Sequence, residues 1–210
     1  HYTSQEIERV FGLQRKASAD LFDVSVVVSQ TVINCLPMAF PRGAVVRLAA
    51  RVKKFGGIPV LTGIRVNDPL LAEKILQDKN ADIIGMARPL IADPELPRKA
   101  FEGRLDDIRM CIACNRCLDQ VYAGNPVSCT LNVEAGRERE LQIRPAKKRK
   151  RLLIAGGGPA GMEAARVAAL RGHEVLLYEK SEELGGLLSL AKLPPHKEEL
   201  ENITRYYRVQ

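Results

Sequence analysis

Residues 152–161 constrain the fold more tightly than any other stretch of this chain. Leu152-Leu153-Ile154-Ala155 is a short, continuously apolar run that reads as a buried strand, and Gly156-Gly157-Gly158-Pro159-Ala160-Gly161 follows it directly. A helical segment from about Pro159 to Arg171 comes next, then Glu174-Val175-Leu176-Leu177-Tyr178 as a second strand, with Glu179 at its end. In the spacing G-x-G-x-x-G, Gly156 permits a tight turn, Gly158 lets the backbone approach a pyrophosphate, and Gly161 lets helix and strand pack closely. Pro159 and Ala160 open the helix, whose first N–H groups and positive dipole end suit phosphate. Glu179 stands where a carboxylate would grip adenosine ribose hydroxyls. A glycine-rich turn occurs in many α/β folds. The order strand, glycines, helix, strand, acid is what points to an adenine-dinucleotide site.

Cysteine usage is uneven. Cys35 stands alone, and a lone cysteine is most often a small core hydrophobe. Cys111, Cys114, Cys117 and Cys129 follow C-x2-C-x2-C-x11-C, a three-plus-one spacing that suits an iron–sulfur cluster. Structural zinc is the chief rival. Zinc sites more often pair two C-x2-C arms or add histidine, and the three histidines, His1, His173 and His196, lie outside this segment.

Upstream, the pattern is strand and helix in alternation. Thr3-Ser4-Gln5-Glu6 has the form of a capping box, followed by Ile7, Val10 and Phe11 at helical spacing. Leu21 to Val28 reads as a buried strand, and Ser29 to Phe40 has no clear period. Val45, Val46, Leu48, Ala49 and Val52 give a helical face that stops at Phe55-Gly56-Gly57. Strands are expected at 58–62 and 82–86, with helices opened by Asp68-Pro69 and Asp93-Pro94. These are parallel βα units, too few to close an eight-stranded barrel alone. Barrel active sites sit at the C-terminal ends of strands, and phosphate is often held by the last two loops. Thr62-Gly63-Ile64-Arg65 and Gly85-Met86-Ala87-Arg88 are such loops, with Arg65 and Arg88 as charges and amides near Gly63 and Ala87 as donors. The plain alternative makes both arginines ordinary surface residues.

Composition excludes several classes. With 46% hydrophobic and 27% charged residues the 210-residue chain reads as globular, and no apolar run approaches the roughly 20 residues a bilayer span needs. The net charge of +7 is concentrated in Lys147-Lys148-Arg149-Lys150-Arg151, which reads as a solvated linker. No aromatic platform or finger spacing accompanies it, so no nucleic-acid partner is expected. The first residues lack the order of a secretory signal, and a cytoplasmic location is expected.

The sequence resembles the NADH:flavin oxidoreductase family, specifically its 2,4-dienoyl-CoA reductase and 2-enoate reductase branch. The match is carried by Phe40-Pro41-Arg42-Gly43-Ala44, Arg65-Val66-Asn67-Asp68-Pro69, Met86-Ala87-Arg88-Pro89-Leu90-Ile91-Ala92-Asp93-Pro94 and Ile108-Arg109-Met110-Cys111-Ile112-Ala113-Cys114-Asn115. The glycine fingerprint, Gly185-Gly186 and Tyr206-Tyr207-Arg208 continue it in family order. The resemblance implies an α/β chain in three parts: the C-terminal part of an FMN-binding TIM-type barrel (1–104), an iron–sulfur segment (105–145), and the first βαβ unit of a Rossmann-like FAD/NAD-binding domain (146–210). It also implies NAD(P)H as electron donor, FAD, a 4Fe–4S cluster on the four cysteines, and FMN delivering hydride to an activated C=C bond. The substrate class is then an unsaturated acid or acyl-CoA, and Gly186 joins the FAD site. A homo-oligomer is compatible with the family.

The chain also departs from that pattern. Val26-Val27-Val28-Ser29-Gln30 runs almost directly into Thr31-Val32-Ile33, which resembles a much later loop, so the family's segment with a catalytic tyrosine and histidines is absent. The beginning of the barrel and the remainder of the nucleotide domain are also missing, and no catalytic residue is assigned. Some relatives have three residues before the third cysteine where this chain has two. The competing readings are a non-catalytic remnant or electron-transfer module of that family, and a zinc-bound interaction domain.

Overall fold

The computed structural model describes residues 3–25 and 35–210. The expected strand continuation at Val26–Val28 and the junction with Thr31-Val32-Ile33 lie outside the described residues. The chain divides into two compact units, His1–Pro89 and Leu90–Gln210.

In the first unit, α1 (Ser4–Lys16) starts on the expected cap. Thr3 Oγ1 accepts from Glu6 N at 3.3 Å, and Thr3 N donates back to Glu6 Oε2 at 2.6 Å. Three strands follow, β1 (Phe22–Val24), β2 (Val60–Thr62) and β3 (Ile83–Ile84), in the order β1-β2-β3 and all parallel. Asp23 pairs with Leu61, and Leu61 with Ile83. The crossovers are α2 (Val46–Gly56) and α3 (Pro69–Gln77). Gly57 ends α2 in the left-handed region at φ 63°, and Asp68 caps α3 by accepting from Leu70 N at 2.9 Å. These are the stop and start read from the sequence.

Two apolar clusters hold this layer. Phe22, Val24, Val45, Ala49, Val52 and Val60 form one, with Phe11 set edge-on to Phe22 at 4.6 Å. Val66, Ile75 and Ala81 form the other. Burial of a ring such as Phe22 contributes roughly 2 kcal/mol. Asp82 pins β3 to β2: its Oδ2 accepts from Val60 N at 3.0 Å, and its Oδ1 accepts from Lys53 Nζ at 2.7 Å.

Helix α4 (Arg88–Ala92) carries the chain into the second unit. Helix α5 (Leu96–Phe101) begins two residues beyond the expected Asp93-Pro94 start. Asp93 is buried, and only its Oδ1 makes a local turn, accepting from Glu95 N at 3.1 Å. Its Oδ2 receives Lys99 Nζ and Arg109 N, each at 2.8 Å, so tertiary contacts take the carboxylate. A short 3-10 turn (Leu105–Asp107), α6 (Arg116–Tyr122), β4 (Arg151–Ala155), α7 (Pro159–Leu170), β5 (Glu174–Tyr178), α8 (Leu188–Ala191), a second 3-10 turn (Glu198–Leu200) and α9 (Glu201–Val209) complete the unit.

β4 and β5 pair in parallel from Arg151↔Glu174 to Ala155↔Tyr178, and α7 packs on both. β4 is not the buried strand its composition suggests, because Leu153 is 70% exposed. Only one strand pairs with it among the described residues. The basic run leads into this sheet. Ala146 N donates to Arg171 O at 2.9 Å, Lys150 N to His173 Nδ1 at 3.2 Å, and Arg151 pairs with Glu174 at 3.1 Å.

Candidate cofactor-binding site

In the second unit the glycine turn takes three different backbone roles. Gly156 has φ 103°, which an L side chain rarely adopts, and its N–H closes the turn onto Tyr178 O at 2.7 Å. Gly161 permits contact between helix and strand end: a Cβ there would stand 1.9 Å from Gly156 O. At Gly158, which caps α7, a Cβ would meet nothing within 4 Å. The backbone at the head of α7 is therefore open to an approaching group. Pro159 and Ala160 form the exposed first turn, as expected.

Glu179 closes this turn from β5. Its Oε2 accepts from Gly157 N at 2.6 Å and its Oε1 from Ser181 N at 2.9 Å. The Ser181 and Gly157 amides hold its carboxyl below the ordinary carboxylate range. Gly157 is enclosed as well, since a Cβ there would stand 2.6 Å from Leu184 Cδ2 and 3.1 Å from Glu179 Cβ. Gly185 N donates to Gly157 O at 2.8 Å. Gly186 lies against Gly158, 3.1 Å from Cβ position to Cα, with φ 54°. Glycines distant in sequence thus surround one turn.

The four cysteines lie in the same unit. Ala113 and Asn115 take left-handed φ values of 49° and 61°, curling the backbone between Cys111, Cys114 and Cys117. That curl aims Ala113 N at Cys111 Sγ, at 3.3 Å. Leu131 N donates to Cys129 Sγ at 3.4 Å, and Cys114 Sγ stands 3.3 Å from Thr130 Oγ1. The last contact sets the C-x2-C segment beside the Cys129 segment. Sulfurs that receive amide hydrogens fit thiolate chemistry. Among the described residues, however, no three His, Cys, Asp or Glu side chains stand at metal-ligating geometry. Cys117 lies in α6, a helix that the absence of period in the sequence did not foretell.

In the first unit, the two candidate phosphate loops touch. A Cβ on Gly63 would stand 2.1 Å from Gly85 O, and Gly85 N donates to Thr62 O at 2.9 Å. Thr62 Oγ1 is fully buried and has no hydrogen-bond partner among the described residues. Ala87 is exposed. Neither arginine is a plain surface residue. Arg65 is buried at φ 60° and donates from Nε and Nη2 to Phe40 O at 3.0 and 2.8 Å. Arg88 Nη1 donates to Leu36 O at 3.0 Å. Both side chains anchor the loop at 36–40.

Sequence reasoning passed over a polar network in the second unit. Arg109 Nη2 donates to Tyr206 OH at 3.0 Å, with its guanidinium 5.0 Å from the ring centre. Tyr207 OH donates to Glu163 Oε2 at 3.0 Å, and Arg166 binds both Glu163 oxygens at 2.8 Å. Burial alone would raise the Glu163 carboxyl, but Arg166, Tyr207 and the Arg109 charge outweigh it and hold it below its ordinary value. Burial, then the Glu163 charge, push the Tyr207 hydroxyl up. The sequence signals were Arg109 and Tyr206-Tyr207-Arg208, quoted for the resemblance without a contact between them.

A parallel βα layer of barrel type followed by a dinucleotide-type strand–glycine–helix turn defines the class of the fold, α/β. The comparisons agree. Residues 38–107 match the NADH:flavin oxidoreductase / NADH oxidase family, and residues 152–206 match FAD dependent oxidoreductase. The barrel-type part is thus similar to the NADH:flavin oxidoreductase / NADH oxidase family and the glycine-turn part to the FAD dependent oxidoreductases. It is 44% identical over 206 residues to a metal reductase of Desulforamulus reducens, covering 98% of this chain and 31% of that protein. It is 38% identical over 172 residues to a cinnamate reductase of Clostridium sporogenes, covering 81% and 26%. The structure of a 2-naphthoyl-CoA reductase with 2-naphthoyl-CoA superposes at TM-score 0.92 and 36% identity, covering 99% of this chain and 32% of that one. The chain thus spans about a third of the length of these relatives. Among the described residues no helix is long and apolar enough to cross a membrane.

Proposed function

We propose that the chain carries the cofactor relay of an NAD(P)H-dependent oxidoreductase that reduces an activated C=C bond in an unsaturated acid or acyl-CoA. The observation that carries this reading is the open backbone at Gly158, bounded by the tight turn at Gly156 and the close contact at Gly161. It is the shape a pyrophosphate requires. In this reading Gly156, Gly158, Pro159, Ala160, Gly161, Glu179 and Gly186 hold FAD. Glu179 already spends both oxygens on backbone amides, so it shapes the turn besides facing a ribose.

Cys111, Cys114, Cys117 and Cys129 hold a 4Fe–4S cluster. The donor set fits, with four cysteine sulfurs, two of them receiving backbone N–H groups and no histidine among them. A bound cluster would supply one-electron transfer between two flavins. Gly63 and Ala87 amides face the FMN phosphate. Arg65 and Arg88 shape this site by fixing the 36–40 loop, and they add positive charge. The substrate class rests on the cinnamate and 2-naphthoyl-CoA reductases among the relatives.

Anaerobic purification followed by iron, sulfide, zinc, FMN and FAD analysis tests the reading. Iron and sulfide near four each per chain, with FAD, are expected. Stoichiometric zinc without iron would leave the interaction-domain reading instead. Cofactor content without turnover on any enoate or enoyl thioester would leave an electron-transfer module.

A further inference from the structure

We propose that α9 is a positioning joint that ties the cysteine segment to the dinucleotide helix α7, so that a ligand seated at the glycine turn stiffens the backbone around Cys111. The ligand arm of this proposal rests on the dinucleotide reading above; the joint itself does not.

Adjacent residues on a helix point about 100° apart. Tyr206 and Tyr207 therefore serve two different neighbours while their rings meet edge-on at 5.3 Å. Tyr206, 4% exposed, receives Arg109, two residues before Cys111. Tyr207 donates to Glu163, one turn into α7, and Arg166 locks Glu163 from the next turn. Two more contacts run to the same stretch from α9 and the residue that follows it. Arg205 Nη2 donates to Met110 Sδ at 3.4 Å, and Gln210 Nε2 donates to Asp107 Oδ1.

The geometry makes this more than packing. The Arg166 side chain is 9% exposed and that of Glu163 26%, so their bidentate pair is largely shielded from water, as is Lys99–Asp93 and unlike the open pairs Lys74–Asp78 and Arg98–Glu95. Removing one partner would leave a charge or hydroxyl desolvated and unpaired. A phosphate bound at the head of α7 orders that helix, and a second element tied to an ordered helix costs less to order in turn. Glu163, Tyr207, Tyr206 and Arg109 are in this view positioning residues, none of which touches the ligand.

Amide hydrogen exchange on the full 210-residue chain tests it, with Tyr207→Phe and Glu163→Gln as variants. Without ligand, both variants should raise exchange at 109–113 about tenfold over the wild type, while 60–62 in β2 stays unchanged. With FAD added, and its binding followed by flavin absorbance, the wild type should gain protection at 109–113. Tyr207→Phe should bind FAD yet fail to transmit that protection. Unchanged ligand-free exchange in both variants would overturn the joint. So would a uniform rise across 90–210, which loss of packing alone produces, or equal transmission by FAD-bound Tyr207→Phe. If the wild type binds no FAD, the dinucleotide reading fails and the ligand-free comparison alone decides the joint.

Discussion

Gly158 and Gly161 are three residues apart, and a methyl group should affect them in opposite ways. At Gly161 it would meet a carbonyl oxygen at 1.9 Å, backbone that cannot yield cheaply. Gly161→Ala should therefore destabilise the second unit by about 1–3 kcal/mol, the usual penalty for overpacking. At Gly158 the methyl enters open space, and the extended backbone there, φ −73° and ψ 177°, accepts any residue. Gly158→Ala should leave the unfolding midpoint in urea nearly unchanged while weakening FAD binding at least tenfold, read by flavin fluorescence titration. Asp93 offers a third test. Its side chain is 5% exposed and that of Lys99 13%, so Asp93→Asn takes the nearer of two carboxylates from a nearly buried ammonium and leaves it Asp107 Oδ1 at 3.9 Å. A loss of about 3 kcal/mol in denaturant unfolding is expected. Asp93 was read from the sequence as a helix cap. Its Oδ1 does make a local turn, but its Oδ2 gathers Lys99 and the Arg109 amide from 6 and 16 residues away. No local pattern encodes that convergence.

At the scale of elements, the starts and stops carried by backbone chemistry were legible. The Thr3 box, the Asp68 cap with Pro69, the Gly57 stop and the Pro159 start all act within a few residues. The β2–β3 pairing is reinforced by a contact between residues distant in sequence. Asp82 binds Lys53 and the Val60 amide, and these bonds hold its carboxyl below the ordinary value of 3.8. A depressed folded-state pKa means stability that is present above the ordinary value and lost as pH falls through the folded one. Acid should therefore loosen β3 from β2 only below about pH 3.8, and Asp82→Asn should remove that part of the pH dependence. Carboxyl chemical shifts followed by NMR against pH would measure it. The contribution is modest, because the pair is partly open to solvent.

At the scale of the whole molecule, the two units carry different chemistry. The described part of the first presents a three-stranded parallel layer whose two arginines are engaged with the 36–40 loop. Hydride transfer needs a flavin ring fixed against substrate and an acid placed to protonate the neighbouring carbon. Among the described tyrosines, Tyr122 and Tyr178 are largely exposed, and Tyr206 and Tyr207 are engaged with Arg109 and Glu163. The 210-residue chain alone, supplied with reduced nicotinamide, FMN, FAD and an enoyl thioester, should turn over well below roughly one per second, a rate within the ordinary enzyme range. Faster turnover would show that these residues assemble a complete site.

The sequence by itself determined the α/β class and the glycine turn, and it carried the resemblance to the flavin oxidoreductases. Each is encoded in contiguous residues whose backbone or ligand chemistry needs no partner from afar. Tertiary structure alone decided where the polar side chains are spent. It turned Arg65 and Arg88 onto loop carbonyls and drew Asp93 away from a simple cap. It left Leu153 exposed on a two-stranded sheet and joined Arg109 to α7 through two tyrosines of α9. The reason is physical. A buried donor, acceptor or charge must be satisfied by whatever group folding brings within about 3 Å, and that neighbour is set by packing rather than by sequence distance.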